Sequence, residues 1–496
     1  MALAWGLALA NLAVPSLWHD ELVHIYVARE MVAHGTAQLP SGVPYHSGAL
    51  FNGLLAVVQA LAGDGEFPMR APSALLYGVN VALLYGLARA WAGRPAAVGA
   101  ALLLALSPWS LAWARQARFY TLQQTVYPVF LLSLWAWIRP AARTPGQWTA
   151  AAGLATAYLL ALLTSFHSVF FLPVLALVLP LLAWLRRWRL ALALAMALPL
   201  LALAAVAIMA ALMNPTDVQA TTTHAGLGLH WRSLFTRDRW FYVLWLHQNL
   251  STGFLLLAGA GALALPWRRG WIGLLPLLAF AGPLAALTFL LDYRWDRFLL
   301  FAYPALVTLQ AAGLCALLRG MAGFRRSWAH ALLALVLLAF SARLAVSAAR
   351  LAGDSLAVAS GAPTTLAAHH PAWREAGDWV RRQGGEFAVL ASSYLPVHYY
   401  AGRVDDWFPS TWYGWEAQDS GLPGIGDLAG LRDFVARHPA GVFVADHERF
   451  GKWRHHGAIR AVLDPMVRWV EENLERVPGA GGADVAVYRW PPSEDQ

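Results

Sequence analysis

The chain alternates long apolar runs with short polar breaks. Runs fall at roughly 68–88, 95–113, 122–138, 148–165, 168–185, 190–212, 248–266, 271–291, 298–318 and 328–348. A helix rising about 1.5 Å per residue needs about 20 apolar residues to cross ~30 Å of hydrocarbon. Each run, some only with flanks, therefore predicts a span. Residues 1–17 read as a shorter first span. They have no basic leading region and no small-x-small cleavage site, so the pattern predicts that they are retained. Residues 48–62 (GALFNGLLAVVQALA) are apolar but short. They predict a juxtamembrane helix lying on the membrane surface, with a re-entrant segment as the alternative. Residues 20–35 (DELVHIYVAREMVAHG) place Leu22, Ile25, Tyr26, Met31 and Val32 mostly at helical spacing, with Gly35 as a stop.

Beyond about residue 350 the long apolar runs end. A helical pattern over 372–382 is followed by strand-like runs at 387–391, 442–445 and 485–488, with helical patterns at 431–437 and 464–476 among them. The expected architecture is an α-helical polytopic membrane protein with a C-terminal soluble α/β domain. It has about 11 transmembrane helices plus juxtamembrane helices. The expected division is 1–349 and 350–496, with 20–63 as the first extracytoplasmic loop.

Composition agrees. The chain of 496 residues is 58% hydrophobic and 13% charged, against about 25% charged in soluble domains. The 25 Trp suit long membrane–water interfaces. The net charge of +8 is almost all arginine; Lys452 is the sole lysine. Arg89/Arg94, Arg139/Arg143, Arg186/Arg187/Arg189, Arg268/Arg269 and Arg319/Arg325/Arg326 occupy every second loop. Positive loops stay inside, so this distribution reports topology, not nucleic-acid binding. With 48–62 kept out of the span count, Asp20 and the C-terminal domain face outside. The single cysteine, Cys315, excludes an intramolecular disulfide and argues against a thiolate metal site.

Two charged sites stand against this background. Trp18-His19-Asp20-Glu21 puts adjacent carboxylates where the first span ends, and carboxylates at the membrane are functional candidates. They also suit a helix start, which is the plainer reading. On the same side, SPWSLAWARQARFYTLQQ carries Arg115 and Arg118 three apart, with Tyr120 beside them. Outside arginines run against the charge rule, and gripping a phosphate would explain them; snorkelling to water is the alternative. Arg297, in DYRWDRFLLFAYPAL, is the third guanidinium suited to phosphate. Asp292, Asp296 and Arg294 read as local ion pairs. His46 and His167 read as interfacial histidines, with His46 an added donor if it reaches the site. His19, Asp20, Glu21 and His24 form a mixed set lacking a second acidic motif, so the reading expects no metal and no other cofactor. No Walker loop, dinucleotide fingerprint or G-x-S-x-G is present.

These pieces resemble a known family. The order is a first span, DE heading an amphipathic helix that ends in Gly, and a surface helix. Then come EFPMRAPSALLYG, ARQARFYTLQ and late DRFLLFAYPAL. This is similar to the GT-C superfamily, in the protein mannosyltransferase-like group that includes the lipid A aminoarabinose transferase. The likeness covers about the first 320 residues and is best over 18–125. It implies transfer of a sugar from a polyprenyl-phosphate carrier to an acceptor hydroxyl on the non-cytoplasmic face of a bacterial inner membrane, usually with inversion. The acceptor would be a lipid, polysaccharide or protein. The family's acidic pair falls on Asp20 and Glu21, and its phosphate-binding residues on Arg115, Arg118 and Arg297, with Tyr120 and His46 as further donors. Two departures stand out. Several relatives carry a second acid after the third span, where this chain has Arg118-Phe119-Tyr120-Thr121. Their basic residue before the surface helix is replaced by His46. A lipid transporter or flippase, or a retired homologue serving in assembly, are the competing readings. The lack of paired half-repeats counts against transport.

Overall fold

The computed structural model describes residues 1–139, 144–212, 240–291, 294–323, 349–350, 352–361, 370–410, 415–447, 457–482 and 484–491. The expected span at 328–348, most of the 213–247 loop, and Asp292, His369, Lys452, His455 and His456 lie outside the described residues. The chain forms two compact units. One holds residues 1–11, 46–51 and 70–367; the other holds 12–45, 52–69 and 368–496.

The first unit is helical. Among the described residues, Glu66–Ala92, Gly146–Thr164, Phe166–Trp184, Trp188–Leu212, Thr252–Leu290 and Asp296–Gly320 are long and apolar enough to cross a membrane. Thr252–Leu290 is two arms, Thr252–Arg269 and Leu275–Leu290, joined by a 3-10 turn at Gly270–Leu274. Gly273 abuts the backbone of Leu265 there, so the chain doubles back, as the two separate apolar runs predict. The run expected at 95–113 is broken. Arg94–Ala105 and Pro108–Ala114 meet at 58°. Ser107 caps the second piece by accepting from the Ser110 amide (3.3 Å). Pro108, which lacks an N–H and disfavours helix at the preceding residue, starts it.

The first expected span is corrected as well. Residues 1–17 are helical only over Ala2–Leu9, about 12 Å by helical rise and too short to cross. Asn11 has a left-handed φ of 49°, which ends helical propagation. Trp5 ties this short helix to the Glu66–Ala92 helix by donating from Nε1 to the Leu75 carbonyl (2.9 Å).

Burial ranks the helices. Leu192, Met196, Leu200, Leu203 and Val206 on Trp188–Leu212 are each more than 60% exposed, as a lipid-facing helix requires, whereas most of Asp296–Gly320 is buried. Thr252–Arg269 crosses Tyr303–Gly323 at Gly261 and Gly313. A Cβ on either would strike the other helix's backbone, so two hydrogens are what let the helices touch.

The second unit joins the first loop to the C-terminal α/β part. Its sheet runs in the order β2-β1-β3-β5-β4, with β1 Ala388–Ala391, β2 Asp406–Trp407, β3 Gly441–Asp446, β4 Glu475–Arg476 and β5 Val485–Trp490. β1 pairs in parallel with β2 and β3, while β5 runs antiparallel to β3 and β4. Helices Leu428–Arg437 and Gly457–Asn473 bury Leu431, Phe434, Leu463, Met466 and Val470 with Leu390, Phe443 and Tyr488 of the sheet. The helix read from residues 20–35 spans His19–His34 and stops at Gly35, whose φ of 71° a glycine adopts without strain. It docks on this α/β part. Tyr26 Oη lies 2.6 Å from Nδ1 of His398, and the Arg29 guanidinium lies over the Tyr399 ring (4.9 Å). Arg374 donates to Glu66 (2.6 and 2.9 Å), as does Tyr400 (2.9 Å). The acidic helix thus belongs to the same unit as the C-terminal residues.

Candidate active site

The acidic half lies in the second unit. Helix His19–His34 starts after Trp18, and the Trp18 amide donates to Oε2 of Glu21 (3.3 Å). Glu21 is fully buried, with the same oxygen 3.6 Å from Nδ1 of His370. Asp20, in the same first turn, is only partly buried. One carboxylate therefore serves the helix start, while its neighbour retains access to solvent.

His19 carries a network that the sequence did not reveal. Its Nε2 is 3.1 Å from Oδ2 of Asp419, and its Nδ1 is 3.9 Å from Oε1 of Glu416. Glu416 is held in turn by the Ser393 hydroxyl (3.2 Å) and the Tyr394 amide (2.9 Å). Burial alone would lower the His19 pKa. Asp419, then Glu416 and Asp20, outweigh it and raise the value above 6.5. Burial raises the Asp419 pKa, with His19 opposing. His24 faces elsewhere, its Nδ1 2.6 Å from Oδ1 of Asn52. Among the described residues no three His, Cys, Asp or Glu side chains are arranged to hold a metal ion.

The basic half lies in the first unit, and there the predicted residues part company. Arg118 donates from Nη2 to the Tyr120 hydroxyl (3.1 Å). The guanidinium carbons of Arg118 and Arg297 lie 5.2 and 5.8 Å from the Tyr120 ring centroid, so one tyrosine gathers both cations. Trp113 and Trp295 add aromatic faces 5.8 and 4.6 Å from Arg297. Asp296 feels the charge of the adjacent Arg297, but its side-chain hydrogen bonds go elsewhere. Its carboxylate accepts from the indoles of Trp109 (2.8 Å) and Trp113 (3.3 Å), fixing the turn that presents Arg297. His167 stacks on Phe298 at 3.9 Å between centroids.

Arg115 is committed differently. Its guanidinium donates to the carbonyls of Leu7 (3.2 Å), Ala8 (3.1 Å), Ala10 and Asn11 (3.1 Å). These are the open acceptors at the end of the Ala2–Leu9 helix. Burial, then the charge of Arg70, lowers its pKa to about 10, which leaves it charged at neutral pH. His46 is partly buried just before the Ala49–Ala62 helix, in the first unit with the arginines.

The motifs behind the family likeness also meet in space. The Ser73 hydroxyl of EFPMRAPS donates to the Arg118 carbonyl of ARQARFY (3.1 Å). The serine thus sets the backbone that carries Arg118.

Comparison with solved structures places the whole chain. It matches ArnT from Cupriavidus metallidurans bound to undecaprenyl phosphate over 98% of this chain and 96% of that one, with TM-score 0.63 at 16% identity. It also matches the archaeal oligosaccharyltransferase AglB from Archaeoglobus fulgidus, in complex with an inhibitory peptide and a dolichol-phosphate. That match covers 97% and 73% of the two chains, with TM-score 0.57 and 14% identity. The chain is a multi-pass membrane protein that shares the fold of these two proteins. Within it, residues 48–213 match the family model for dolichyl-phosphate-mannose-protein mannosyltransferase. No curated protein matches by sequence.

Proposed function

We propose that this chain is a glycosyltransferase that moves a sugar from a polyprenyl-phosphate carrier to an acceptor hydroxyl, on the extracytoplasmic face of a bacterial inner membrane. The observation that carries the reading is the pair Arg118 and Arg297 gathered on Tyr120 inside a GT-C fold. Two guanidiniums walled by aromatic rings, Arg118 buried and Arg297 partly buried, suit a phosphate monoanion or dianion, which accepts from their N–H forks. The ArnT structure bound to undecaprenyl phosphate and the AglB structure with a dolichol-phosphate support a lipid-phosphate ligand of this class. Asp20 is the base. The acceptor oxygen attacks C1 of the sugar as its proton passes to Asp20, and the C1–O bond to phosphate breaks. The electron pair leaves on the polyprenyl phosphate, whose charge Arg118 and Arg297 hold, with Tyr120 as a further donor. Phosphate leaves without a general acid. Glu21 fixes the helix that carries Asp20. The sequence points both Arg115 and His46 to the phosphate, Arg115 by its place outside the membrane as well as by the family likeness. We assign Arg115 instead to seating residues 7–11, and give His46 the remaining donor position. The transferred unit is a hexose or pentose, and the acceptor a cell-envelope lipid, glycan or protein.

The test is transfer of radiolabelled sugar from polyprenyl-linked donors to membrane acceptors. Asp20→Asn should lower kcat by about 10²–10⁴-fold at wild-type levels of inserted protein. Near-normal transfer by that variant would remove Asp20 as base. Movement of label without a new glycosidic bond would instead indicate a transporter.

A further inference from the structure

The arginines of the alternating loops are more than topology signals. In the first unit, four helices leave a cavity of about 440 Å³, within the ~300–1,000 Å³ usual for ligand pockets. Arg268, Arg269 and Arg319 line it, with Cys315 and a wall of alanines including Ala312 and Ala316; no carboxylate does. Gly93, at φ 93°, makes room for one of them. A Cβ there would come within 2.7 Å of Nη2 of Arg269. Arg297 and Arg319 stand near opposite ends of Asp296–Gly320, so the cavity lies roughly 33 Å along that segment from the Arg297 cluster. It is a separate site, at the face that the charge pattern assigns to the cytoplasm.

We propose that this cavity binds the phosphate headgroup of an anionic phospholipid in the leaflet opposite the Arg118–Arg297 cluster. Three converging guanidiniums supply the charge and the forked donors that phosphate oxygens accept from. The alanine wall is apolar, which suits a glycerol and the first acyl carbons. The cavity opens between spans at their ends, where a headgroup arrives with its chains already in the bilayer. A free phosphate shares the anion chemistry but makes no use of the apolar wall. Three arginines at such a surface give an anionic lipid about a 100-fold preference over a zwitterionic one.

Cys315, the only cysteine, is a built-in reporter. Full-length protein in nanodiscs of phosphatidylcholine or phosphatidylglycerol is treated with N-ethylmaleimide. Phosphatidylglycerol should slow modification of Cys315 by at least about tenfold. The variant R268Q/R269Q/R319Q should label equally fast in both lipids. Ala316→Phe keeps every charge but fills the space. It should lose the phosphatidylglycerol that wild type retains in native mass spectrometry, which guards against a triple variant that inserts poorly. Equal labelling of the wild type in both lipids would overturn the proposal, as would protection that survives the triple variant. Equal protection by millimolar inorganic phosphate in phosphatidylcholine discs would reject the lipid as the source.

Discussion

The two ends of Asp296–Gly320 use the same side chain for opposite ends. At the first, Arg297 and Arg118 are wrapped by Tyr120, Trp113 and Trp295, and their turn is pinned through Asp296. At the second, Arg319 joins Arg268 and Arg269 around an alanine-walled cavity and stays exposed. Both ends gather arginines; the walls differ. Aromatic walls fix a cation in one position and shield it from salt. Alanine walls leave it room to meet a headgroup. Arg115 sharpens the lesson. It is as buried as Arg118, at 6% exposure each, yet spends its donors on backbone carbonyls. Burial does not assign a guanidinium; its partners do.

The contrast can be broken by exchange of charge. At the aromatic end, Arg118→Gln and Arg297→Gln should each lower kcat/KM for the lipid-linked donor by roughly 10- to 100-fold, the worth of a charge-assisted contact. The triple variant at the alanine end should stay within about twofold of wild type in the same assay. A matching loss there would erase the distinction. Arg115→Ala should leave donor KM unchanged but lower the melting temperature. Four carbonyls lose a charged donor, which costs roughly 3 kcal/mol. A raised KM with normal stability would return Arg115 to the phosphate. The smallest effect lies at the acidic helix. The folded pKa of His19 is raised, so the protonated ring's contribution is complete below pH 6.5 and is lost as pH rises through the folded value. Wild-type melting temperature should therefore fall as pH is taken from 6.5 upward, and Asp419→Asn should flatten that slope. An unchanged slope would detach His19 from Asp419.

Long-period features were legible in the sequence. The apolar runs at 68–88, 190–212 and 298–318 became helices close to those bounds, because a span is defined by length and composition over about 20 residues. The strands near 388, 442 and 485 and the stop at Gly35 were legible for the same local reasons. What was hidden depends on contacts between distant segments. Nothing near residue 19 announces Asp419, and nothing near Asp296 announces two indoles. The shortening of the first helix is set by Asn11 and by Arg115, about a hundred residues away. A signal for Arg115 did exist. A polar-ended 1–17 run is short for a span, so its open carbonyls needed a donor from elsewhere.

The Gly261–Gly313 crossing has a consequence for how the core can move. With main chain against main chain, Thr252–Arg269 and Tyr303–Gly323 behave like crossed blades on a single rivet. Sliding would drive a side chain into the opposing backbone, so pistoning is closed off and only tilting about the crossing remains. A methyl group at either glycine would force the blades apart and displace the tips that bear Arg269 and Arg319.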